Sequence, residues 1–348
     1  MTDNGNMIDT NALGPYLASR IEGFGELENV EKFSGGQSNP TYKLTSKNRQ
    51  YVLRAKPPGE LLKSAHQVDR EYRVMKALEK TEVPVPKMLH LADKDSPIGR
   101  MFFVMEFLDG EIYWDPALTE IPEDGNKQRS AIYDAMNNAL AALHSVDPDS
   151  IGLSDFGVPG NYFARQLSRW TKQYRASEID RQDDMHRLIK WLEDNMPEDD
   201  GQVSLVHGDY RLDNMVFSGK GSQILGILDW ELSTLGHPLA DLAYQCMQWR
   251  LPNAGSFRGL AGIDRNSRGI PTEKDYVSAY CSRRKVKAIE NWSFYVAFSF
   301  FRLGAILQGV YKRSVDGNAS NPERAKLYGA AVPVLSQMAM TMINEEEV

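Results

Sequence analysis

The sequence predicts an α+β protein with a small N-terminal lobe around an antiparallel sheet and a larger helical C-terminal lobe. Short apolar runs bounded by Gly and Pro, which are typical of strands, recur up to about residue 108. Long segments with helical periodicity dominate the remainder. The 348 residues suffice for two lobes, each with its own core. We therefore expect an N-terminal lobe over residues 1–107 and a C-terminal lobe over residues 108–348.

The N-terminal lobe begins with an amphipathic segment, in which Leu13, Leu17, Ile21 and Phe24 recur at helical spacing. This spacing predicts a helix over residues 9–25. A second helix is predicted from about residue 64 to 80. The strand-like stretches around it are punctuated by Gly or Pro, and VPVPKMLHL is either a connector or an edge strand. These stretches are VEKFSGGQSNPTYKL (strand, turn, strand), QYVLRAKP, VPVPKMLHL and RMFFVMEFL.

The C-terminal lobe is predicted to be mainly helical, with three short β segments. Residues 253–271 are rich in Gly and Arg, which predicts a long polar loop. The apolar stretch WSFYVAFSFFRLGAIL is interrupted by serines and Arg302 and is shorter than a membrane span, so we expect a buried helix. The predicted β segments are 203–206, 214–217 and 223–228, and the predicted helices are 127–144, 161–176, 181–195, 240–250, 273–282 and 290–312.

Composition and charge exclude several classes of function. The formal net charge is −7, and no extended basic stripe is evident, so a general nucleic-acid binder is not expected. Cys246 and Cys281 lack the spacing of a metal site or a disulfide framework, which fits a reducing compartment. The first ten residues are polar, unlike a signal peptide. We therefore expect a cytoplasmic protein that does not bind membranes.

One polar constellation follows a strand-like run near the middle of the chain. LVHGDYRLDN contains Asp209 and, five residues later, Asn214, and a predicted hairpin separates them from Asp229. Phosphoryl transfer needs a carboxylate facing the acceptor hydroxyl and hard oxygen ligands for Mg²⁺. Asp209 suits the first task, and Asn214 and Asp229 suit the second. Any one of these three residues alone would indicate only a polar turn. Their occurrence together in this order indicates phosphoryl-transfer chemistry. A two-metal hydrolase is a minor alternative, which no cluster of His and Asp supports.

A second constellation involves a carboxylate on an apolar helix face. Glu71 shares that face with Val68, Met75 and Leu78, at spacings of 3, 4 and 3. An unpaired carboxylate is costly there, so Glu71 needs a cation. The preceding strand offers Arg54 and Lys56. A surface ion pair between strand and helix is the alternative interpretation.

These motifs resemble the aminoglycoside phosphotransferase and choline kinase superfamily, which shares the protein-kinase-like fold. The resemblance extends from about residue 28 to about 335. It implies that Asp209 is the catalytic base, that Asn214 and Asp229 bind the metal, and that Arg211 stabilises the transferred phosphate. A solvated role for Arg211 stays open. His207 is expected to pack the loop, and Asp241 in GHPLADLAYQ to anchor its backbone.

The same resemblance assigns nucleotide-binding roles in the N-terminal lobe. Arg54, or alternatively Lys56, would contact the phosphates together with Glu71. Leu108 and Glu106 correspond to the hinge whose backbone contacts adenine. The turn GGQSN is expected to cover the phosphates, although it lacks the Lys-Ser/Thr of a P-loop and could be any hairpin. Its candidate contacts are Gly36, Ser38 and Asn39.

The resemblance is strongest to a branch that includes stand-alone bacterial proteins and the kinase domain fused to some acyl-CoA dehydrogenases. It implies ATP- and Mg²⁺-dependent transfer of the γ-phosphoryl group to an alcohol, including that of a hydroxyacyl-CoA. Arg258, Arg265 and Arg268 are either a clamp for an anionic substrate or solvated loop residues. The alternatives are an aminoglycoside, amino-alcohol or sugar phosphotransferase, and a catalytically silent nucleotide-binding scaffold. The expected partner is a small-molecule alcohol, and the protein is either a monomer or a homodimer.

Overall fold

Among the residues that the structure describes, the main elements are a five-stranded antiparallel sheet and ten α-helices. The computed structural model describes residues 8–33, 39–58, 67–219, 221–254, 257–317 and 322–346. In chain order the strands are β1 (Leu27–Lys32), β2 (Thr41–Ser46), β3 (Gln50–Ala55), β4 (Met88–Ala92), β5 (Phe102–Glu106), β6 (Ser204–Val206), β7 (Met215–Phe217), β8 (Ile224–Ile227), β9 (Thr234–Gly236), β10 (Asn253–Ala254) and β11 (Phe257–Arg258). The helices are α1 (Thr10–Ala18), α2 (Val68–Leu78), α3 (Asn126–Ser145), α4 (Tyr162–Ser177), α5 (Asp183–Asp194), α6 (Leu239–Met247), α7 (Arg265–Arg268), α8 (Glu273–Arg284), α9 (Trp292–Val315) and α10 (Pro322–Glu346).

The chain divides into two compact units. The first unit comprises residues 1–111, 215–220 and 224–233, and the second comprises 112–214, 221–223 and 234–348. The first unit contains the five-stranded sheet in the order β1-β2-β3-β5-β4, together with α1, α2 and the β7–β8 hairpin. The second unit contains the β6–β9 and β10–β11 pairs and the remaining helices. The α+β class is thus confirmed.

The core of the first unit lies between α1 and the sheet. Leu13 and Leu17 on α1 and Leu44, Leu53 and Phe102 on the strands are all fully buried. Because side chains alternate across a strand, the other face of the sheet is free to receive a second helix. That helix is α2, which packs on β4 and β5. The predicted edge position of VPVPKMLHL is confirmed, since β4 lies at one edge of the sheet.

The second unit is built around α9. This helix packs against α10, α4, α6 and α5. It is 24 residues long and, among the described residues, is the one helix that is long and apolar enough to cross a membrane. Two thirds of its most apolar window is buried within the protein, in keeping with a core helix. The expected burial is confirmed, but the expectation that the segment is too short for a span was wrong, because the helix continues to Val315.

Three other expectations about elements differ from the structure. Helix α1 ends at Ala18, because the chain turns through Gly23 and Gly25, both with left-handed φ values. The segment 253–271 is not an extended polar loop, since it forms β10, β11 and α7 and buries Leu260 and Ile270. Helix α10 was not predicted at all. Its residue Pro333 lies inside the helix, where proline usually breaks the pattern.

Candidate active site

In the first unit, a buried cluster of charges joins β3 to α2 and to the residues that follow β8. The Arg54 guanidinium lies 3.0 Å from Glu71 Oε2 through Nε, and its Nη2 donates to Asp229 Oδ1 at 2.7 Å. Glu231 Oε2 lies 3.5 Å from the same Nη2. The Glu71 side chain is only 1% exposed, and Arg54 is 14% exposed. The guanidinium group of Arg54 therefore forms ion pairs with three carboxylates.

The apolar face of α2 explains why Glu71 is buried. Val68, Met75 and Leu78, which share its face, are at most 2% exposed. Of the two cations on the preceding strand, Arg54 pairs with Glu71, whereas Lys56 Nζ lies 3.6 Å from Asp69 Oδ1. The structure thus resolves the partner of Glu71. The predicted contact of Arg54 or Lys56 with phosphates stays a prediction.

The excess of carboxylates perturbs the ionisation of this cluster. Burial raises the pKa of Glu71 to about 8, with Asp229 and Glu231 adding to the effect and Arg54 opposing it. Burial alone would lower the pKa of Arg54, but the three carboxylates outweigh it and raise that pKa. Burial and neighbouring charges therefore act in opposite directions on the Arg54 guanidinium, and the carboxylates of Asp229 and Glu231 reinforce the effect of burial on Glu71.

Asn39 has a contact that the sequence did not indicate. Its side-chain Nδ2 donates to Glu71 Oε1 at 2.8 Å, and the residue is 2% exposed. The Asn39 amide therefore orients Glu71, and a contact with nucleotide remains a prediction. The other candidates in that turn, Gly36 and Ser38, lie outside the described residues.

Asp229 follows β8 in an uncommon backbone conformation. Its φ is +63° and its ψ is +58°, in the left-handed region that few residues other than glycine adopt. Its side chain is 35% exposed, and Arg54 holds one carboxylate oxygen. Strained backbone at a polar residue is frequent at functional sites, where surrounding contacts maintain it. Asp229 therefore has both the strain and the accessible carboxylate expected of a ligand-binding position.

The predicted hinge residues lie at the end of β5. The Glu106 N–H donates to Lys87 O at 3.0 Å, and Glu106 Oε1 accepts from the Lys87 N–H at 2.7 Å. Leu108 packs on Gly226 of β8, where an added Cβ would lie 2.4 Å from Leu108 Cδ1. Only glycine permits this close approach. The Glu106 N–H is thus engaged within the protein, and the predicted contact of Glu106 and Leu108 with adenine stays a prediction.

In the second unit, a buried carboxylate holds the loop that contains Asp209. Asp241 lies in the first turn of α6 and is 1% exposed. Its two carboxylate oxygens accept the N–H groups of His207 at 2.6 Å and Gly208 at 2.8 Å. The predicted role of Asp241 as a backbone anchor is confirmed. The His207 Nδ1 accepts the Asp209 N–H at 3.2 Å, which agrees with a structural role for His207.

Asn214 and Arg211 contact the Asp209 carboxylate directly. Asn214 Nδ2 donates to Asp209 O at 2.8 Å and to Asp209 Oδ2 at 3.1 Å. Arg211 Nε lies 3.4 Å from Asp209 Oδ1, and its Nη2 donates to Asp213 Oδ2 at 2.7 Å. With both amide hydrogens directed at Asp209, Asn214 has its oxygen for a hard cation such as Mg²⁺. Asn214 in this unit therefore offers an oxygen of the type that Mg²⁺ prefers, as Asp229 does in the first unit.

The surroundings of Asp209 favour its ionised form. Burial acts to raise its pKa, but the charges of Arg211 and His207 and hydrogen bonds from Tyr244 and Asn214 outweigh burial and lower it. The side chain is nonetheless 24% exposed. A carboxylate that is ionised, oriented by two neighbours and accessible can accept a proton from a bound hydroxyl group.

Two residues support this loop although the sequence did not predict that role for them. His144, fully buried on α3, lies with its Nε2 3.3 Å from Asp241 Oδ2 and its Nδ1 2.7 Å from Tyr280 Oη. Arg302 Nη2 donates to Gly208 O at 2.7 Å. In the sequence, only the isolated charge of Arg302 within an apolar helix could have indicated this role, because its partner is a backbone carbonyl 94 residues away along the chain.

The three arginines of the segment 253–271 have different surroundings. Arg258 is exposed, and its charge lowers the pKa of Asp213, although burial outweighs this effect and raises that pKa. Arg265 Nη1 donates to Leu260 O at 3.2 Å, which is a structural contact within the segment. Arg258 is therefore the member whose charge reaches the catalytic loop, and the predicted clamp stays a prediction.

Within the parts of the chain that the structure describes, no three His, Cys, Asp or Glu side chains converge on a common metal position. Mg²⁺ in phosphoryl-transfer enzymes is usually held by one or two protein ligands and the phosphates of the substrate. The predicted roles of Asn214 and Asp229 as metal ligands stay predictions.

Several known proteins are similar in sequence to this chain over most of its length. Residues 29–272 match the model of the phosphotransferase enzyme family. The chain is 45% identical over 342 residues to acyl-CoA dehydrogenase family member 10 of Mus musculus, covering 97% of this chain and 31% of that protein. It is 41% identical over 340 residues to family member 11 of Homo sapiens, covering 96% of this chain and 43% of that protein. The chain thus spans less than half of either relative.

Solved structures show the same fold. A crystal structure from Ralstonia eutropha, of a protein assigned to the aminoglycoside phosphotransferases, has a TM-score of 0.87 and 45% identity, and covers 97% of this chain and 99% of that chain. A spectinomycin phosphotransferase in complex with ADP and spectinomycin has a TM-score of 0.63 at 12% identity, covering 95% and 98%. At such low identity the second likeness shows the fold alone. The predicted protein-kinase-like fold is confirmed.

Proposed function

The chain belongs to the phosphotransferase enzyme family, and we propose that it transfers the γ-phosphoryl group of ATP to the hydroxyl group of a small molecule. The resemblance inferred from the motifs is confirmed at the level of the family. The observation that carries the proposal is the environment of Asp209, an ionised and accessible carboxylate oriented by Asn214 and Arg211. That arrangement suits a base that orients and deprotonates an alcohol during in-line transfer.

Each remaining residue has a defined task in this mechanism. Arg54, held by Glu71, binds and orients the ATP phosphates, and Arg211 stabilises charge on the transferred group. The backbone of Glu106 and Leu108 binds adenine. Asn214 and Asp229 would hold Mg²⁺, which neutralises charge on the phosphates when it is bound. Phosphoryl transfer of this kind requires mainly positioning and electrostatic stabilisation, which these side chains provide.

We propose a hydroxyacyl-CoA as the acceptor. The support is the identity of 41–45% to the two acyl-CoA dehydrogenase family members over nearly the whole chain. A protein fused to an enzyme of CoA thioesters can act on a related thioester. An aminoglycoside, amino alcohol or sugar is the second candidate, which the name of the Ralstonia eutropha relative favours. A catalytically silent scaffold is disfavoured, because Asp209, Asn214 and Asp229 are all present.

The setting of this activity is also part of the proposal. We propose a cytoplasmic enzyme that acts on a small molecule, without a membrane or nucleic-acid partner, as a monomer or a homodimer. The net charge of −7 and the burial of α9 in the second unit support this setting. Sedimentation velocity on the purified protein measures the oligomeric state directly.

The deciding experiment is Mg²⁺-dependent ADP release with a panel of acceptors. The panel contains 3- and 4-hydroxyacyl-CoA, aminoglycosides, choline, homoserine and simple sugars. We expect turnover with hydroxyacyl-CoA, and we expect Asp209→Asn to lower kcat by about 10²- to 10⁴-fold, the usual contribution of a general base. Asp183→Asn, at a side chain 78% exposed on α5, is the matched control and should have full activity.

The other outcomes have distinct meanings. Turnover confined to aminoglycosides or sugars would support the kinase activity but would show that the acceptor is not a hydroxyacyl-CoA. Tight binding of Mg·ATP without any turnover, unchanged in Asp209→Asn, would favour the scaffold. Absence of nucleotide binding would contradict the proposed activity altogether.

A further inference from the structure

The exposed face of α4 has an unusual concentration of positive charge. Over Tyr162–Ser177 the helix contains four cations and no acidic residue, in a chain whose net charge is −7. The cations recur at spacings of four, three and three residues, so they lie along one side of the helix. We call this side the α4 basic face, and its members are Arg165, Arg169, Lys172 and Arg175.

In the part of the chain that the structure describes, the α4 basic face has no carboxylate partner. Several cations on other helices have carboxylate partners, as Lys190 has Asp194 and Lys312 has Asp316. Among the residues that the structure describes, no member of the α4 basic face forms an ion pair. Arg165 donates to backbone carbonyl oxygens, including Val158 O at 2.5 Å, and Arg169 lies over the ring of Trp170 at 5.3 Å. Their positive charge is therefore available to an anion.

The helix is connected to the catalytic loop through two side chains. The Trp170 ring lies 6.0 Å from the Arg302 guanidinium, which donates to Gly208 O at 2.7 Å. Gly208 directly precedes Asp209. The α4 basic face thus belongs to the same packed region of the second unit as the proposed base.

The α4 basic face is an open surface formed by this one helix, on which the small residues Ala164 and Ser168 lie between the cations. From Arg165 to Lys172 the helix rises by about 10 Å, so its cations can contact more than one phosphate group. Arginine and lysine are the side chains that bind phosphate most strongly.

We propose that the α4 basic face binds the phosphate groups of the CoA portion of the acceptor, while the acyl hydroxyl lies at Asp209. This inference rests on the proposed function, and it assigns the binding of the remote end of the substrate to α4. Binding energy from a remote part of a substrate positions the reacting group and so contributes to catalysis.

The charge distribution favours a small polyanion over a macromolecule. A nucleic acid would require a broader basic surface, but α5, next along the chain, begins with Asp183 and Asp184. A membrane would require apolar anchors beside the cations, whereas the side chains between them on α4 are Ala164, Ser168 and Gln173. Four cations on one helix match the few phosphates of a single CoA.

The test is calorimetric titration of the full chain with CoA, 3′-dephospho-CoA and pantetheine, in the presence of saturating Mg·AMP-PNP. The nucleotide analogue prevents the adenine of CoA from entering the ATP site. We expect CoA to bind most tightly, and Arg169→Ala with Lys172→Ala to weaken its binding by about tenfold or more. Pantetheine, which lacks the phosphates, should bind equally weakly to native protein and variant.

The matched control is Arg187→Ala with Lys326→Ala, two helix cations whose side chains are 68% and 65% exposed. This pair should bind CoA as the native protein does. Equal CoA affinity in the α4 variant and the native protein would overturn the proposal, as would failure of CoA to bind at all. An equal loss in the control pair would also overturn it, since that result would reflect total charge alone.

The failure of this proposal is distinguishable from failure of the proposed function. Hydroxyacyl-CoA and the corresponding hydroxyacyl-pantetheine carry the same acceptor hydroxyl. If the α4 variant phosphorylates both with native preference for CoA, the kinase stands and the α4 site is refuted. If neither is phosphorylated by the native protein, the acceptor assignment fails, and the titration with CoA still decides the α4 site.

Discussion

The Glu71 carboxylate is the residue whose environment departs most from that of a free side chain. It is buried, it pairs with Arg54, and it accepts a hydrogen bond from Asn39. Removal of one partner from a buried ion pair usually costs about 3–5 kcal/mol. Arg54 would still have Asp229 and Glu231, so we expect Glu71→Ala to lower the free energy of unfolding by about 3 kcal/mol, the lower end of that range.

Urea unfolding measures this change, and Glu71→Gln separates charge from shape. Glutamine can still accept from Asn39, so its cost in stability should be smaller. Both variants should raise the KM for ATP, because Arg54 would no longer be oriented. Glu79→Ala, at a carboxylate that is 20% exposed on the residue after α2, is a comparison. A KM for ATP unchanged in both Glu71 variants would contradict the assigned role of the pair.

At the scale of elements, α9 supports the catalytic loop through a single side chain. Arg302 donates to Gly208 O, next to Asp209, and it also lies over the Tyr244 ring at 5.5 Å. We expect Arg302→Met to lower kcat by about tenfold or more, because a hydrogen bond from a charged donor typically contributes about 1.5–3 kcal/mol. Steady-state kinetics test this, with Arg302→Lys as partial rescue. A variant that is destabilised but has native kcat would show that Arg302 is only structural.

The anchoring of the same loop by α3 and α6 predicts a pH dependence of stability. Burial lowers the pKa of His144 below its ordinary value of 6.5, although Asp241 opposes this. The folded state therefore prefers the neutral imidazole, and the unfolded state binds more protons as the pH falls below about 6.5. Stability from His144 is complete above that pH and is lost on acidification toward the lowered pKa.

Urea unfolding at pH 7.5 and 5.5 measures this loss. His144→Asn should make the decline between the two values smaller than in the native protein. His90 and His237 also have lowered pKa values, so a residual decline is expected. An identical decline in native protein and variant would show that His144 does not contribute. The Asp241 carboxylate acts at lower pH, since hydrogen bonds from His144 and Gly208 hold its pKa below the ordinary value despite burial.

For the whole molecule, nucleotide binding should be visible as added stability. A ligand at a hundred times its Kd stabilises the folded state by about 2.7 kcal/mol. We expect saturating Mg·ATP to raise the Tm of the native protein. The shift should be smaller in Asp229→Ala, because that variant lacks one of the proposed metal ligands. Thermal unfolding with ATP and EDTA is the control, and an equal shift without Mg²⁺ would contradict the assignment of Asp229.

Whether the sequence predicts a contact depends on how far apart along the chain its two residues are. Glu71 was recognised because the helical period places it among apolar residues within one element. The contact of Arg302 with Gly208 joins positions 94 residues apart through a backbone carbonyl, so no local pattern reports it. Helix α10 was missed although Val332, Leu335, Ala339 and Met342 are buried at helical spacing, because Pro333 interrupts the pattern. Tertiary packing overrides that local signal.

The link between Arg302 and Gly208 also bears on the order of events during biosynthesis. A ribosome makes residue 209 well before residue 302, so the nascent chain exposes the Asp209 loop while its support from α9 does not yet exist. Domains emerge at about 5–20 residues per second, which leaves the loop without this hydrogen bond for several seconds. A chain released before α9 is complete would carry the motif HGDYRLDN without the contact that holds its second residue. The Asp209 loop thus gains its support from α9 only when most of the polypeptide has been translated.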